Sequence, residues 1–192
     1  PSNVGTGGSF GNAALFNSTF TGTAGQTYIL RWTITNGICT ASTDDVQIRL
    51  DQTPTGSNAG PDQIGPTAIC GTSATLAANT PAIGTGVWSI SSGAGGSFVN
   101  PASPTTVFNG VAGTTYTLTW TITNGVCASS ADNVDISLLQ SPTTSAAGPD
   151  QNFCGTGVTL AANTPGVGTG AWTFAPSNVG TGGSFGNAAL FN

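Results

Sequence analysis

Four residue types are missing from this 192-residue chain: histidine, lysine, methionine and glutamate. Without histidine there is no imidazole to serve as a general base or as a zinc ligand, and without lysine no amine can form a Schiff base or a lysine-based isopeptide cross-link. The seven acidic residues are all aspartates, scattered through predicted turns. We therefore expect no catalytic residues, no enzymatic activity and no bound cofactor.

Charge is also scarce, because charged residues make up 5% of the chain and the net charge is −5. The cations are Arg31 and Arg49. Nucleic-acid binding requires clustered lysine and arginine, and so does a polybasic contact with a membrane surface. The sequence also has no apolar run of the roughly 18 residues that a membrane span needs. We expect no nucleic-acid partner and no membrane insertion.

The chain is internally repeated. Residues 1–17 and 176–192 are the same string, PSNVGTGGSFGNAALFN, at an offset of 175. A looser repeat of 84 to 88 residues lies inside this period, so that YILRWTITNGIC at Tyr28 returns as YTLTWTITNGVC at Tyr116. Repeats of this kind indicate tandem modules. We predict three segments: a C-terminal half-repeat (1–58), a complete repeat (59–146) and the N-terminal half of the next repeat (147–192).

Each repeat predicts short β-strands. Tyr116, Leu118, Trp120 and Ile122 alternate with threonines, and Asn-Gly, a strong hairpin-turn signal, follows directly. No segment has a helical period, and about seven short strands per repeat favour a β-sandwich over a β-solenoid, whose coils repeat every 20 residues or so. We predict that the tryptophans form the sandwich cores: Trp32, Trp88, Trp120 and Trp172.

These motifs together resemble a known repeat type. The AGPDQ string that opens at Ala59, the later GVWSI, and TYTLTWTITNGVC followed by DNVDISL resemble the PKD-like, immunoglobulin-like tandem repeats of giant bacterial surface adhesins exported by type IX secretion. The resemblance implies an all-β fold of tandem immunoglobulin-like sandwiches that form an elongated rod or filament. It also implies an extracellular location on the bacterial cell surface.

The function that follows from this resemblance is a structural stalk in cell adhesion or gliding motility. Its partners would be the neighbouring repeats of the same chain, with lateral self-association possible, while an extracellular surface or glycan would be bound by a tip outside this sequence. The alternative is that the repeat itself is a glycan-binding or self-associating module. Low charge favours self-association, since little repulsion opposes it.

Cysteines occur twice per repeat, and paired cysteines in an exported repeat indicate disulfides. Cys70 with Cys127 is the predicted bridge within the complete repeat, and Cys39 and Cys154 would then pair with residues outside this sequence. In a standard sandwich, however, the starts of the second and the last strands lie at opposite ends. A bridge from the foot of one repeat to the head of its neighbour therefore remains an alternative.

Asp62 and Asp150 lie near the predicted junctions between repeats, where calcium rigidifies many extracellular arrays. A calcium site needs several oxygen ligands, and the sequence has no dense D-x-D run. We treat the two aspartates as weak metal candidates. Turn carboxylates that accept hydrogen bonds from nearby backbone amides are the simpler interpretation.

Overall fold

A computed structural model describes residues 5–176, 180–186 and 188. Within these residues the secondary structure is β, apart from one 3-10 turn at Gly65–Thr67. None of the described segments is a helix that could cross a membrane. The strands are β1 (Ser9–Phe10), β2 (Phe20–Thr21), β3 (Gln26–Ile34), β4 (Ser42–Leu50), β5 (Ile69–Cys70), β6 (Ser73–Thr75), β7 (Thr85–Ser92), β8 (Ser97–Phe98), β9 (Val107–Asn109), β10 (Thr114–Thr123) and β11 (Ser130–Leu139).

Strands β5 to β11 form a two-sheet sandwich, here called the closed unit. One sheet has the order β5-β11-β10-β7 and the other the order β6-β9-β8. The core between them consists of apolar residues from both sheets and from the entering segment: Ala59, Ala74, Leu76, Ala78, Trp88, Phe108, Tyr116, Leu118, Trp120, Ile122, Val134, Ile136 and Leu138. The predicted immunoglobulin-like β-sandwich is therefore confirmed.

The two-residue alternation of the sequence decides which side of the sheet faces this core. Leu118 pairs with Val134, and Trp120 pairs with Trp88 across the next strand. The two indole rings lie 5.2 Å apart between centroids. The threonines point outward, where they bond across strands, as Thr119 Oγ1 does to the Asn133 side chain at 2.7 Å. Hydroxyls thus cover a face that carries few ions.

Tyr116 joins two loops at one end of the closed unit by hydrogen bonds. Its ring is fully buried, and its hydroxyl donates to the Ala94 carbonyl and accepts from the Val111 amide, both at 2.8 Å. Removing the hydroxyl leaves both backbone groups without this partner in a half-buried site. We expect Tyr116→Phe to lower the free energy of unfolding by about 1–3 kcal/mol, measured by urea denaturation. An unchanged unfolding midpoint would contradict this.

Strands β1 to β4 repeat half of this architecture. Antiparallel β3 and β4 have the register of β10 and β11, with Leu30 opposite Val46 where the closed unit has Leu118 opposite Val134. Tyr28 is buried and bonds the Thr6 carbonyl and the Thr23 amide, as Tyr116 bonds its own loops. Among residues 5–58, which the structure describes, no strand is equivalent to β5, β6 or β7.

The missing strands change the exposure of the apolar side chains. Trp32 is 43% exposed and Ile34 is 60% exposed, whereas their equivalents Trp120 and Ile122 are both at 0%. Trp32, which was predicted to be a core residue, is therefore partly exposed in this half-repeat. Residues 1–25 do not contain the sequence of 59–92, whose Leu76 and Trp88 pack around the equivalent tryptophan in the closed unit.

The C-terminal segment has turns but no strand among its described residues. Its large apolar residues correspond to strand residues of the closed unit. Trp172 is half-buried, while Phe153 is 65% exposed and Phe174 is 52% exposed. Trp172 also lines the two grooves found on this segment.

Candidate functional site

The chain enters and leaves the closed unit at opposite ends. Ser57 bonds Ser130 at the start of β11, and Ala59 N donates to Asp132 at 2.8 Å. The chain then runs parallel to β11, reaching Cys70 opposite Leu139 at the end of that strand. Because β11 has ten residues, entry and exit are separated by about 30 Å. The preceding and following segments of the chain therefore meet the closed unit at opposite ends.

Asp51 connects the end of β4 to the closed unit. Its side chain is 8% exposed and accepts from the Val126 amide at 2.9 Å in the turn between β10 and β11. Arg49 lies 2.5 Å from the same carboxylate, and Asn124 donates to the Gln52 carbonyl at 2.7 Å. These contacts form the junction between the half-repeat and the closed unit. The sequence did not indicate them, since the position equivalent to Asp51 in the closed unit is Leu139.

The candidate calcium ligands are placed differently from each other. Asp62 accepts a hydrogen bond from the Asp135 amide at 2.9 Å, which is the role of a backbone-capping carboxylate. Asp150 lies exposed in the segment after the closed unit. Within the described residues no group of three or more His, Cys, Asp or Glu side chains could hold a metal ion. The structure does not bring Asp62 and Asp150 together in such a group.

The four cysteines are free thiols: Cys39, Cys70, Cys127 and Cys154. The predicted bridge from Cys70 to Cys127 is not formed. Cys70 is paired with Leu139 at the foot of β11, while Cys127 lies in the turn before Ser130, at the head of that strand. The strand length of about 30 Å separates them, whereas a disulfide needs Cα atoms within about 7 Å.

One ion pair lies on the outer face of β3–β4. Arg31 makes two hydrogen bonds to the carboxylate of Asp45, at 2.7 and 2.9 Å. The hydrogen bond from Arg31 holds the pKa of the Asp45 carboxyl below its usual value, and Asp45 in turn raises the pKa of the guanidinium. In the closed unit, Thr119 and Asn133 occupy these positions and form a neutral side-chain hydrogen bond. The half-repeat therefore has an ion pair where the closed unit has a hydrogen bond between uncharged groups.

Comparisons with known proteins give a likeness in structure. No protein-family model matches the chain, and no curated protein matches it. Among solved structures, the PKD domain from the KIAA 1837 protein is similar, with 21% sequence identity and a TM-score of 0.37. The match covers 51% of this chain and 95% of that chain.

Proposed function

We propose that this chain is part of the stalk of an extracellular bacterial surface adhesin, acting in cell adhesion or gliding motility. It is a structural, non-catalytic array of sandwich modules that transmits force along its length. The observation that supports this most is the path of the chain through the closed unit, which enters at Ser57 beside the head of β11 and leaves past its foot at Leu139. Repetition of such a unit lengthens a rod without altering any core.

The junction at Asp51 supports the same proposal. A carboxylate that is 8% exposed and bonded to both Arg49 and the Val126 amide restricts how the two modules move relative to each other. Each module of this size adds about 35–45 Å along the rod axis, from strands of about ten residues and their loops.

The experiment is electron microscopy of a polypeptide with several 175-residue periods in tandem. The proposal predicts a thin rod with an axial spacing of one or two modules. A compact globule, or modules that tumble independently, would contradict it.

We propose no calcium requirement, because Asp62 already caps the Asp135 amide. Addition of a calcium chelator should leave the melting temperature of the chain unchanged in differential scanning calorimetry. A fall of several degrees, restored by added calcium, would show that a metal stabilises the modules.

A second candidate function is self-association. Charged residues make up 5% of the chain, so little electrostatic repulsion opposes contact between copies. Glycan binding by the repeat is the other form of this candidate. A glycan array with the full chain separates the two: reproducible binding that Trp32→Ala removes would favour glycan recognition.

A further inference from the structure

The junction between the half-repeat and the closed unit joins the foot of one module to the head of the next. The head is the end of a module where β4 or β11 begins, and the foot is the end where that strand stops. Asp51, at the foot of the half-repeat, accepts a hydrogen bond from the Val126 amide. The Gln52 carbonyl accepts another from the Asn124 side chain. Cys127 is the next residue of the same turn, so this cysteine lies at the head, beside the preceding module.

The other cysteine of the closed unit lies at the foot. Cys70 is exposed and paired with Leu139, and its Sγ lies 3.8 Å from Ser141 Oγ in the segment that leaves the module. The residues equivalent to Leu139 and Ser141 in the half-repeat are Asp51 and Thr53. A cysteine at the same foot position of the half-repeat would therefore lie beside Asp51, which contacts the head turn of the closed unit.

The repeat supplies a cysteine for that position. In an array of 175-residue periods, a copy of 147–175 precedes the half-repeat. The string TLAANTP begins five residues after Cys70 and also five residues after Cys154, so Cys154 is the foot cysteine of that module. Paired strands lie about 4.8 Å apart. Cys154 of the preceding period is therefore one strand away from Asp51, at the junction where Cys127 lies.

The half-repeat has the same head turn as the closed unit. The Cys39 amide donates to the Asn36 carbonyl at 3.0 Å, as the Cys127 amide does to the Asn124 carbonyl at 3.2 Å. Cys39 is exposed in this turn. In the array, the module that precedes this turn is the closed unit of the previous period, whose foot holds Cys70.

We infer that a disulfide joins each pair of successive modules, from the foot cysteine of one module to the head cysteine of the next. Cys154 pairs with Cys127 of the following period, and Cys70 pairs with Cys39 of the following period. Each period has four cysteines and two junctions, so every cysteine is used once. The inference rests on the proposed tandem array.

Each bridge forms by oxidation of two thiols. The thiols lose two protons and two electrons and form one S–S bond, while a low-molecular-weight disulfide such as oxidised glutathione is reduced to two thiols. Bridges of this kind persist in the oxidising environment outside the cell.

The bridges shorten the covalent path along the rod. A pulling force that reaches Cys39 follows the chain for 31 residues to Cys70 and then crosses a bridge to the next period. That path contains β4 and the segment that runs parallel to β11, both of which run from head to foot. Its full extension is at most about 110 Å per period, against about 600 Å for all 175 residues. A bridged array therefore stays short even if its modules unfold.

The test uses a polypeptide of two successive 175-residue periods. Serine replaces Cys39 and Cys127 of the first period, and Cys70 and Cys154 of the second period. The replaced cysteines are exposed or half-buried, so serine should keep the fold, as circular dichroism can check. One cysteine of each kind remains, and each has its predicted partner.

After oxidation with glutathione, thiol titration should find no free thiol. Digestion at aspartate and aromatic residues should give two linked pairs of peptides, Cys154 with Cys127 and Cys70 with Cys39. A bridge within a module would instead link Cys154 to Cys39 and leave two thiols. That pattern, or four free thiols, would overturn the inference.

Two controls show that the folded junction selects the pairs. Cys154→Ser in the first period should leave one free thiol and keep the link between Cys70 and Cys39. A new link from Cys127 to Cys70 or Cys39 in this variant would overturn the inference. Oxidation in concentrated guanidinium chloride should give all three ways of pairing four cysteines.

Single-molecule stretching of several natural periods in tandem measures the mechanical effect. The oxidised polypeptide should extend about fivefold less per period than the reduced one at full stretch. Equal extension of the two would overturn the inference. If no bridge forms but electron micrographs still show rods, the inference fails and the proposed stalk stands, whereas a compact globule would contradict the stalk itself.

Discussion

Trp120→Ala should lower the free energy of unfolding of the closed unit by about 3–5 kcal/mol, the usual range for truncating a buried tryptophan. The indole is fully buried, packs against Trp88 at 5.2 Å and is surrounded by both sheets. The cavity left behind cannot collapse easily, because β10 is held by strands on both sides. Denaturant unfolding followed by far-ultraviolet circular dichroism measures the change.

The chain contains its own control for this prediction. Trp32 has the same place in the same motif, but 43% of it is exposed. Trp32→Ala should cost clearly less than Trp120→Ala, about 1–2 kcal/mol, because much of the indole is already in contact with solvent and no enclosed cavity is left behind. Equal losses for the two variants would mean that the half-repeat is as well packed as the closed unit, contrary to the structure.

Gly86→Val should disrupt the closed unit by overpacking. A Cβ at this position would overlap the six-membered ring of Trp120. Neither group can move away easily, because Gly86 is paired with Ile122 in the sheet and the indole is enclosed in the core. We expect a loss of about 3 kcal/mol, at the upper end of the usual range for overpacked cores, measured as a lower thermal unfolding midpoint.

Gly56→Ala is the matched glycine control. A Cβ there meets no atom within 4 Å. Alanine should leave stability unchanged or raise it slightly, by up to about 1 kcal/mol, because it restricts the unfolded chain. If both glycine substitutions had the same effect, the steric explanation for Gly86 would be wrong.

Much of the fold could be predicted from the sequence, because apolar alternation of period two has a direct structural consequence. Leu118, Trp120 and Ile122 point inward together in a strand, and the Asn-Gly that follows favours a turn. The sandwich followed from the number of such strands. For Trp32 the core assignment stays a prediction, because burial depends on a covering segment as well as on the residue's own strand.

The junction and the cysteines could not be predicted in the same way. Asp51 accepts a hydrogen bond from the Val126 amide because the half-repeat and the closed unit meet there. No local sequence pattern encodes how two modules meet. The Cys70–Cys127 bridge was inferred from spacing along the chain, but parallel pairing of β5 with the end of β11 places the two thiols at opposite ends. Only the register of the strands distinguishes a bridge within a module from one between modules.

Amide hydrogen exchange, read by mass spectrometry on the 192-residue chain, compares the opening of the closed unit with that of the half-repeat. Peptides from β10 and β3 have nearly the same sequence, but β10 has paired strands on both edges and a closed core, while β3 pairs with β4 alone among the described strands. We expect the amides of β10 to exchange at least about 100-fold more slowly than those of β3, since a two-stranded element without its covering sheet opens readily. Equal protection of the two peptides would contradict it.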